Sequence, residues 1–164
     1  MIRILAYDIL YTPMAYYIKT IGSKGAHKAS IFEGRFPKML LCQMLFKSPK
    51  GKAQKLKKGD KLVLYCVGGG VREFPDGAFI GAQEVLGIVR REMELFDEPW
   101  SYIIDVRPEI FLFSDPPSIK DVKRWAGRSE KLNAALKAEL QAVGGLWEIE
   151  KDDYQRFIKT FKAA

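Results

Sequence analysis

Few residues in this chain have types and spacings suited to catalysis. The single histidine, His27, sits in a polar, glycine-bearing stretch. No serine or cysteine nucleophile has context around it, so a general base there would have nothing to activate. Cys42 and Cys66 lie among apolar residues with no CxxC spacing and read as small buried hydrophobes. A structural zinc site needs about four ligands, which one histidine and two separated cysteines do not supply. Gly68-Gly69-Gly70 lacks both the Lys-Ser/Thr ending of a P-loop and the spacing of a dinucleotide turn, and reads as a hairpin loop. Glu73, Asp76, Glu84 and Asp105 are scattered carboxylates. Asp105, between Ile104 and Val106, is the most interesting, although a hydrogen-bonded residue at a strand end is its ordinary role. No catalytic residue, metal or cofactor is expected.

Binding chemistry is better represented. The chain carries 27 Lys and Arg against 20 Asp and Glu, a net charge of +7. Such an excess suits a polyanion, whose condensed counterions are released as phosphates are neutralised. Lys47, Lys50, Lys52, Lys55, Lys57, Lys58 and Lys61 crowd one short segment, a candidate phosphate-facing strip. Trp100, Trp125 and Trp147 fall near expected element ends. Each reads first as a lid on the core, and second as a platform on which a base stacks at roughly 1–3 kcal/mol. Arg35 beside Phe36, Arg124 beside Trp125, and Tyr16-Tyr17 ahead of Lys19 interleave charge with aromatic surface.

The elements that must position these groups form one domain over residues 1–164, a length within the usual ~100–200 residues. Strands are expected at Ile2–Leu10, Met14–Ile21, Lys61–Val67, Ala78–Val89 and Trp100–Val106, with Ile110–Phe113 extending or pairing with the last. Gly81 interrupts an apolar strand, which marks a bulge or a close backbone approach. The apolar run Lys38–Phe46 fits strand or helix. Glu92–Pro99 reads as an acidic connection. Ser118 and Asp121 form a capping box opening a helix that Gly127 stops. A second helix runs from Ser129 to Gly144-Gly145, with Leu132, Leu136, Leu140 and Val143 as its apolar stripe. Leu146–Ile149 is a short strand. Lys151–Phe161 is a closing helix with Tyr154, Phe157, Ile158 and Phe161 on one face. Strands first and helices later argue for an α+β fold with a mostly antiparallel or barrel-like sheet of about five to six strands. No run approaches the ~18 apolar residues of a membrane span, and Met1–Leu10 lacks a signal-peptide pattern. A cytoplasmic protein is expected.

Several segments, in order, resemble the PUA-like superfamily and its EVE and YTH branches. Met14-Ala15-Tyr16-Tyr17-Ile18-Lys19-Thr20 is similar to their aromatic first strand, which ends in lysine and a small hydroxyl residue. Leu56-Lys57-Lys58-Gly59-Asp60-Lys61-Leu62-Val63-Leu64-Tyr65 resembles the K-x-GD-x-hydrophobic-x-Y element of EVE domains. Phe79–Val85 resembles the GxxEV strand that follows it. Trp100 ahead of Asp105-Val106 resembles the tryptophan–strand–DV spacing of YTH domains, and Leu146–Phe161 their closing strand and helix.

The resemblance implies a small barrel flanked by helices, and a pocket that takes one flipped base, typically methylated, from RNA or DNA. Trp100 would be a cage wall, Lys19 and Thr20 would line the pocket, and Asp105 would border it. No tryptophan stands in Ile31–Phe36, so Phe32 or Phe36 would supply the other wall. The phosphate-gripping arginine of YTH domains has no counterpart before Glu148. Lys50, Lys52, Lys55, Lys57 and Lys58, or Arg124 and Arg128, would hold the backbone instead. The resemblance leaves open whether the chain works alone or within a larger complex. Two other readings stay open: a small RNA- or nucleotide-processing enzyme using Asp105 or Lys19, and a protein-interaction module.

Overall fold

The computed structural model describes residues 13–21, 43–46, 55–66, 77–95, 98–112, 114–138, 140 and 146–164, with backbone alone for 21, 43–46, 88–95 and 98–103. His27, Phe32, Phe36, Cys42, Lys47, Lys50, Lys52 and Gly68–Gly70 lie outside the described residues. Six strands form one sheet: β1 (Tyr16–Ile21), β2 (Gln43–Phe46), β3 (Lys61–Cys66), β4 (Ala78–Leu95), β5 (Glu98–Phe111) and β6 (Leu146–Ile149). Their spatial order is β2-β5-β4-β3-β1-β6. Only the β1–β3 ladder is parallel among those described. Three helices follow, α1 (Ile119–Trp125), α2 (Glu130–Lys137) and α3 (Lys151–Ala163). This is the expected α+β architecture with a mostly antiparallel sheet flanked by helices. Among the described residues no ladder joins β2 to β6.

The corner where β1, β3 and β4 meet is built by the turn Lys57–Asp60. Gly59 adopts φ +93, a conformation that strains any residue with a Cβ. Its N–H donates to Val85 O at 2.8 Å, and Val85 N–H returns a bond to Asp60 O at 2.8 Å. The Asp60 side chain is 2% exposed. Its two carboxylate oxygens accept from Ala15 N–H at 3.0 Å and Lys57 N–H at 2.8 Å. One acidic side chain thus fastens the entry of β1 to the start of β3.

Alternation divides the sheet into two buried faces. Ile18, Val63, Tyr65, Phe79 and Ala82 face the helices, in one core with Val122, Leu132, Leu136, Tyr154, Phe157 and Phe161. Phe157 is the hub of that core. It lies 4.8 Å from Phe79, 4.9 Å from Trp125 in an edge-on arrangement, and 5.9 Å from Phe161, ring centre to ring centre. The register puts Tyr17, Lys19, Leu62, Leu64 and Gln83 on the other face, and all of them are buried. A strand buried on both faces reads as an unbroken apolar run, which is the pattern of Leu62–Cys66.

Gly81 is where the sequence placed a close approach. A Cβ there would sit 2.4 Å from Ile110 O, and the ladders shift register at Leu64/Tyr65 and Ala82/Gln83 on either side. Other expectations change. Glu92–Leu95 is not a connection but the end of β4, because that strand continues along β5 to the Leu95–Glu98 pair. Pro108 stays within β5, opposite Gln83 at a register shift, where proline's missing donor is tolerated. The second helix ends at Lys137 rather than near Gly144. Leu140 turns to φ +56, and its N–H bonds to Ala135 O at 3.0 Å, an i→i−5 closure of the kind that terminates helices. The capping box of Ser118 and Asp121 forms as expected.

Replacing Asp60 by alanine removes two part-buried hydrogen bonds from backbone N–H groups to a carboxylate, each worth about 1.5–3 kcal/mol. Urea unfolding of Asp60→Ala should show a loss of roughly 3 kcal/mol with an unchanged m-value. A loss within 0.5 kcal/mol, the range of ordinary surface changes, would show that the corner does not depend on this carboxylate.

Candidate functional site

Lys19 is the least ordinary residue of the described sheet. It lies in the middle of three strands, opposite Leu64 of β3 and Leu146 of β6, and is 8% exposed. Its Nζ donates to Thr20 O at 2.8 Å. Burial lowers its pKa from 10.5 to about 8, because a low-dielectric setting disfavours the ammonium. That shift corresponds to a cost of about 3 kcal/mol at neutral pH. A buried lysine near neutrality can donate a hydrogen bond to a ligand, accept a proton, or act as an amine nucleophile.

The other expected pocket residues are spread over the sheet. Thr20 points to the helical face, where its hydroxyl donates to Leu140 O at 2.9 Å. Asp105 alternates with Ile104 and Val106, which are buried. Because Val106 pairs with Val85 on the Lys19 side, Asp105 belongs to the opposite face. Trp100 lies near the start of β5, opposite Met93, and its side chain is outside what is described. The register puts it 11 residues from Phe111, which shares a row with Gly81, Leu64 and Lys19. That is about 36 Å of strand contour, bent by three irregularities in the β4–β5 ladder. Lys19 and Thr20 are therefore adjacent in sequence but serve different faces, and strand pairing alone does not bring Trp100 to either.

The cations sort into committed and uncommitted groups. Lys61, counted in the basic strip from sequence, is committed. It pairs with Glu84 at 2.9 Å and with Glu109, and Arg107 joins Glu84 from the next strand at 2.8 Å. Hydrogen bonds from Lys61 and then Arg107 hold the Glu84 carboxyl below its usual range. Tyr154 donates to Glu109, and burial followed by that carboxylate raises its phenol pKa. Register explains the network: Lys61, Glu84 and Arg107 are direct neighbours across three strands. Lys55, Lys57 and Lys58 are exposed and make no ion pair among the described residues. Arg128 is in the same position, whereas Arg124 pairs loosely with Asp121 at 3.3 Å.

Lys19 lines none of three grooves built from described residues. One, about 910 Å³, lies between α1 and α3 beside Trp125, Arg156 and Lys159. Two smaller ones, about 580 and 340 Å³, share Met14 and Tyr16 at the start of β1. The sequence shows the apolar stripe of α3 and the acidic Asp152 and Asp153 of its first turn, but Arg156 and Lys159 were not singled out from it. Their spacing with Thr160 and Ala163 was the available signal. Among the described residues there is no cluster of three or more His, Cys, Asp or Glu able to hold a metal, and no helix long and apolar enough to cross a membrane.

No protein-family model matches this sequence, and no curated protein does. The likeness is structural. A hypothetical protein from Leishmania major superposes with a TM-score of 0.58 at 14% identity, over 92% of this chain and 96% of that one. The DUF55 domain of human thymocyte nuclear protein 1 gives 0.54 at 7% identity, over 92% and 100%. Human THYN1, in a crystal structure with DNA containing 5-methylcytosine, gives 0.53 at 8% identity, over 90% and 98%. At such identities the likeness establishes the fold alone.

A lysine whose folded pKa is lowered penalises folding while the unfolded chain is protonated. The penalty is full below about pH 8 and disappears as the pH rises towards 10.5. Burial also raises the pKa values of Tyr17 and Tyr154, which makes stability fall as the pH rises above 10. Comparison with Lys19→Met cancels those terms. The variant should be about 1–3 kcal/mol more stable than wild type at pH 7, and the gap should close between pH 8 and 10.5. A gap that stays constant across that range would refute a buried, near-neutral Lys19.

Proposed function

We propose that this chain is an EVE-type, non-catalytic nucleic-acid-binding domain that reads a flipped, modified base. One observation carries the reading: the chain shares its fold, over nearly its whole length, with a human protein crystallised on DNA containing 5-methylcytosine. The ordered sequence motifs, the positive charge and the buried Lys19 support it independently.

In this reading the barrel-like face carrying Lys19 and Leu64 receives the base. Lys19 supplies the polar contact, donating to a ring nitrogen or carbonyl oxygen at the base edge. The bulged β4–β5 hairpin curls so that Trp100 walls the pocket, with Phe32 or Phe36 opposite, while Asp105, on the other face of the sheet, stands outside it. Flipping a base costs a few kcal/mol, which stacking on one indole at roughly 1–3 kcal/mol offsets in large part. A methyl group adds apolar contact with the ring faces. Lys50, Lys52, Lys55, Lys57 and Lys58, with Arg124 and Arg128, hold phosphates without reading sequence.

Two classes of variant separate reading from holding. Fluorescence anisotropy with matched cytosine and 5-methylcytosine oligonucleotides should show Trp100→Ala losing its preference for the modified strand, roughly tenfold or more. Reversing Lys55, Lys57 and Lys58 to glutamate should weaken both oligonucleotides alike and flatten the dependence of affinity on salt. If Trp100→Ala matches wild type on every oligonucleotide, modified or not, Trp100 does not wall the pocket.

Lys19 also favours a second reading, a small nucleotide- or RNA-processing enzyme, because an amine with a pKa of about 8 suits a general base. Turnover of an oligonucleotide by the purified protein, abolished in Lys19→Met, would select it. Binding without turnover selects the reader.

A further inference from the structure

The groove between the end of α1 and the last turns of α3 encloses about 910 Å³. Pro117, Trp125 and Ala163 give it an apolar lining, while Arg156, Lys159 and Thr160 form a polar stripe. That stripe follows the i, i+3, i+4 spacing of one helix face, away from the buried Tyr154, Phe157 and Phe161. Trp125 is held edge-on against Phe157. Its indole Nε1 is buried and has no hydrogen-bond partner among the described residues, although buried donors are nearly always paired. Arg156 donates one Nη1 bond to Trp125 O at 3.1 Å. A guanidinium has five N–H donors, so most remain available. Lys159 makes no ion pair among the described residues.

Two side-chain carboxylates also line the groove, and they differ in availability. Asp121 is committed: it accepts from Ser118 N–H and Oγ–H at 2.9 and 2.6 Å and from Arg124 at 3.3 Å. Asp115 is exposed and remains as the local counter-charge. Arg124, Arg128 and Lys162 are exposed on the adjoining turns, so the neighbourhood is cationic. The available donors outnumber that one uncommitted side-chain carboxylate and the excess charge is positive, which selects an anion. The groove is far larger than one phosphate group, and its apolar lining suits the sugar and base that phosphates carry in a strand.

We propose that this groove binds the phosphodiester backbone of a nucleic-acid strand, with Arg156 and Lys159 against phosphate oxygens and the Trp125 ring as part of its apolar wall. The proposal rests on the nucleic-acid reading above. It adds a strand-holding surface on the helical layer, separate from the base pocket.

The test titrates the full chain with modified and unmodified single-stranded oligonucleotides, using Lys159→Ala and Arg156→Ala/Lys159→Ala. Lys137→Ala, an exposed α2 residue outside the groove, controls for net charge. The double variant should bind both oligonucleotides roughly tenfold more weakly at 0.15 M salt, with its log–log salt slope reduced by about 1.4, or 0.7 per cation. Lys159→Ala should show about half that slope change, and Lys137→Ala none. The indole N–H resonance of Trp125, assigned with Trp125→Phe, should shift on adding the strand. Unchanged slopes in a protein that binds oligonucleotides overturn the groove and leave the base-reading proposal standing. Equal binding of modified and unmodified strands, with the slope change present, supports the groove and removes base reading. An indole shift given as readily by inorganic phosphate as by the strand, with no slope change, assigns the groove to a free anion and overturns the proposal. A wild-type protein that binds no oligonucleotide overturns both.

Discussion

The sheet depends on the buried Asp60 carboxylate. β1 and β3 are parallel neighbours, and a parallel pair cannot be closed by a tight hairpin. Their connection spans residues 22–60, so the chain must bring distant ends together and offset that closure entropy with specific contacts. The Asp60 side chain holds the backbone of Ala15 and Lys57, while its own backbone carbonyl accepts from Val85. Lys61 N–H adds a 3.0 Å bond to Ala15 O. Charge-assisted bonds of this kind are roughly twice as strong as neutral ones. They pin the register, and register decides which side chain reaches which face.

Register is what makes Lys19 unusual. A slip of one residue would send Lys19 to the helical face and Ile18 to the other. With the register pinned, the lysine stays among buried residues of β1, β3 and β6, at an energy that would remove a sizeable part of an ordinary domain's stability. Tight packing around Phe157 offsets it: burying a large aromatic side chain contributes roughly 1.5–3 kcal/mol, and Phe79, Phe157 and Phe161 are all at most 2% exposed. The helical face thus stabilises the sheet, and the opposite face can hold a group that packing alone would disfavour. A polar group kept in such a place points to a role other than stability.

Much of this was legible in the sequence because it is local. The Lys57–Asp60 turn, the capping box at Ser118 and the apolar stripe of α3 each follow from side chains within a few residues. The bulge around Gly81 was legible for a related reason, since glycine marks a backbone position where a neighbour comes too close for a Cβ. What was not legible depends on partners far away in sequence. Glu92–Leu95 reads as polar connection, yet pairing with β5 carries it into a strand. The apolar stripe continues past Lys137, yet Leu140 leaves the helix. Thr20 and Lys19 look like one motif, but strand alternation sends them to opposite faces. Lys61 looks like a free cation until β4 and β5 place Glu84 and Glu109 beside it.

Pairing also changes how the net charge of +7 acts. Lys61, Arg107 and Lys131 are matched to Glu84, Glu109, Glu148 and Glu150, so their fields largely cancel beyond a Debye length of about 8 Å at physiological salt. Among the described residues the unmatched cations include two groups, the turn at Lys55–Lys58 and the corner of Arg128, Arg156 and Lys159. Tyr16 packs on Tyr154 at 5.3 Å, which puts the first turn of α3 over the start of β1, near that basic turn. The cations of the groove, Arg156 and Lys159, lie about 3 and 8 Å further along the helix axis than Tyr154, at 1.5 Å per residue. A strand contacting both patches would cross the helical layer, whereas a base reaching Lys19 must enter from the opposite face of the sheet. In the proposed reading, holding and reading therefore fall on opposite faces of the sheet, and charge alone reports only the first.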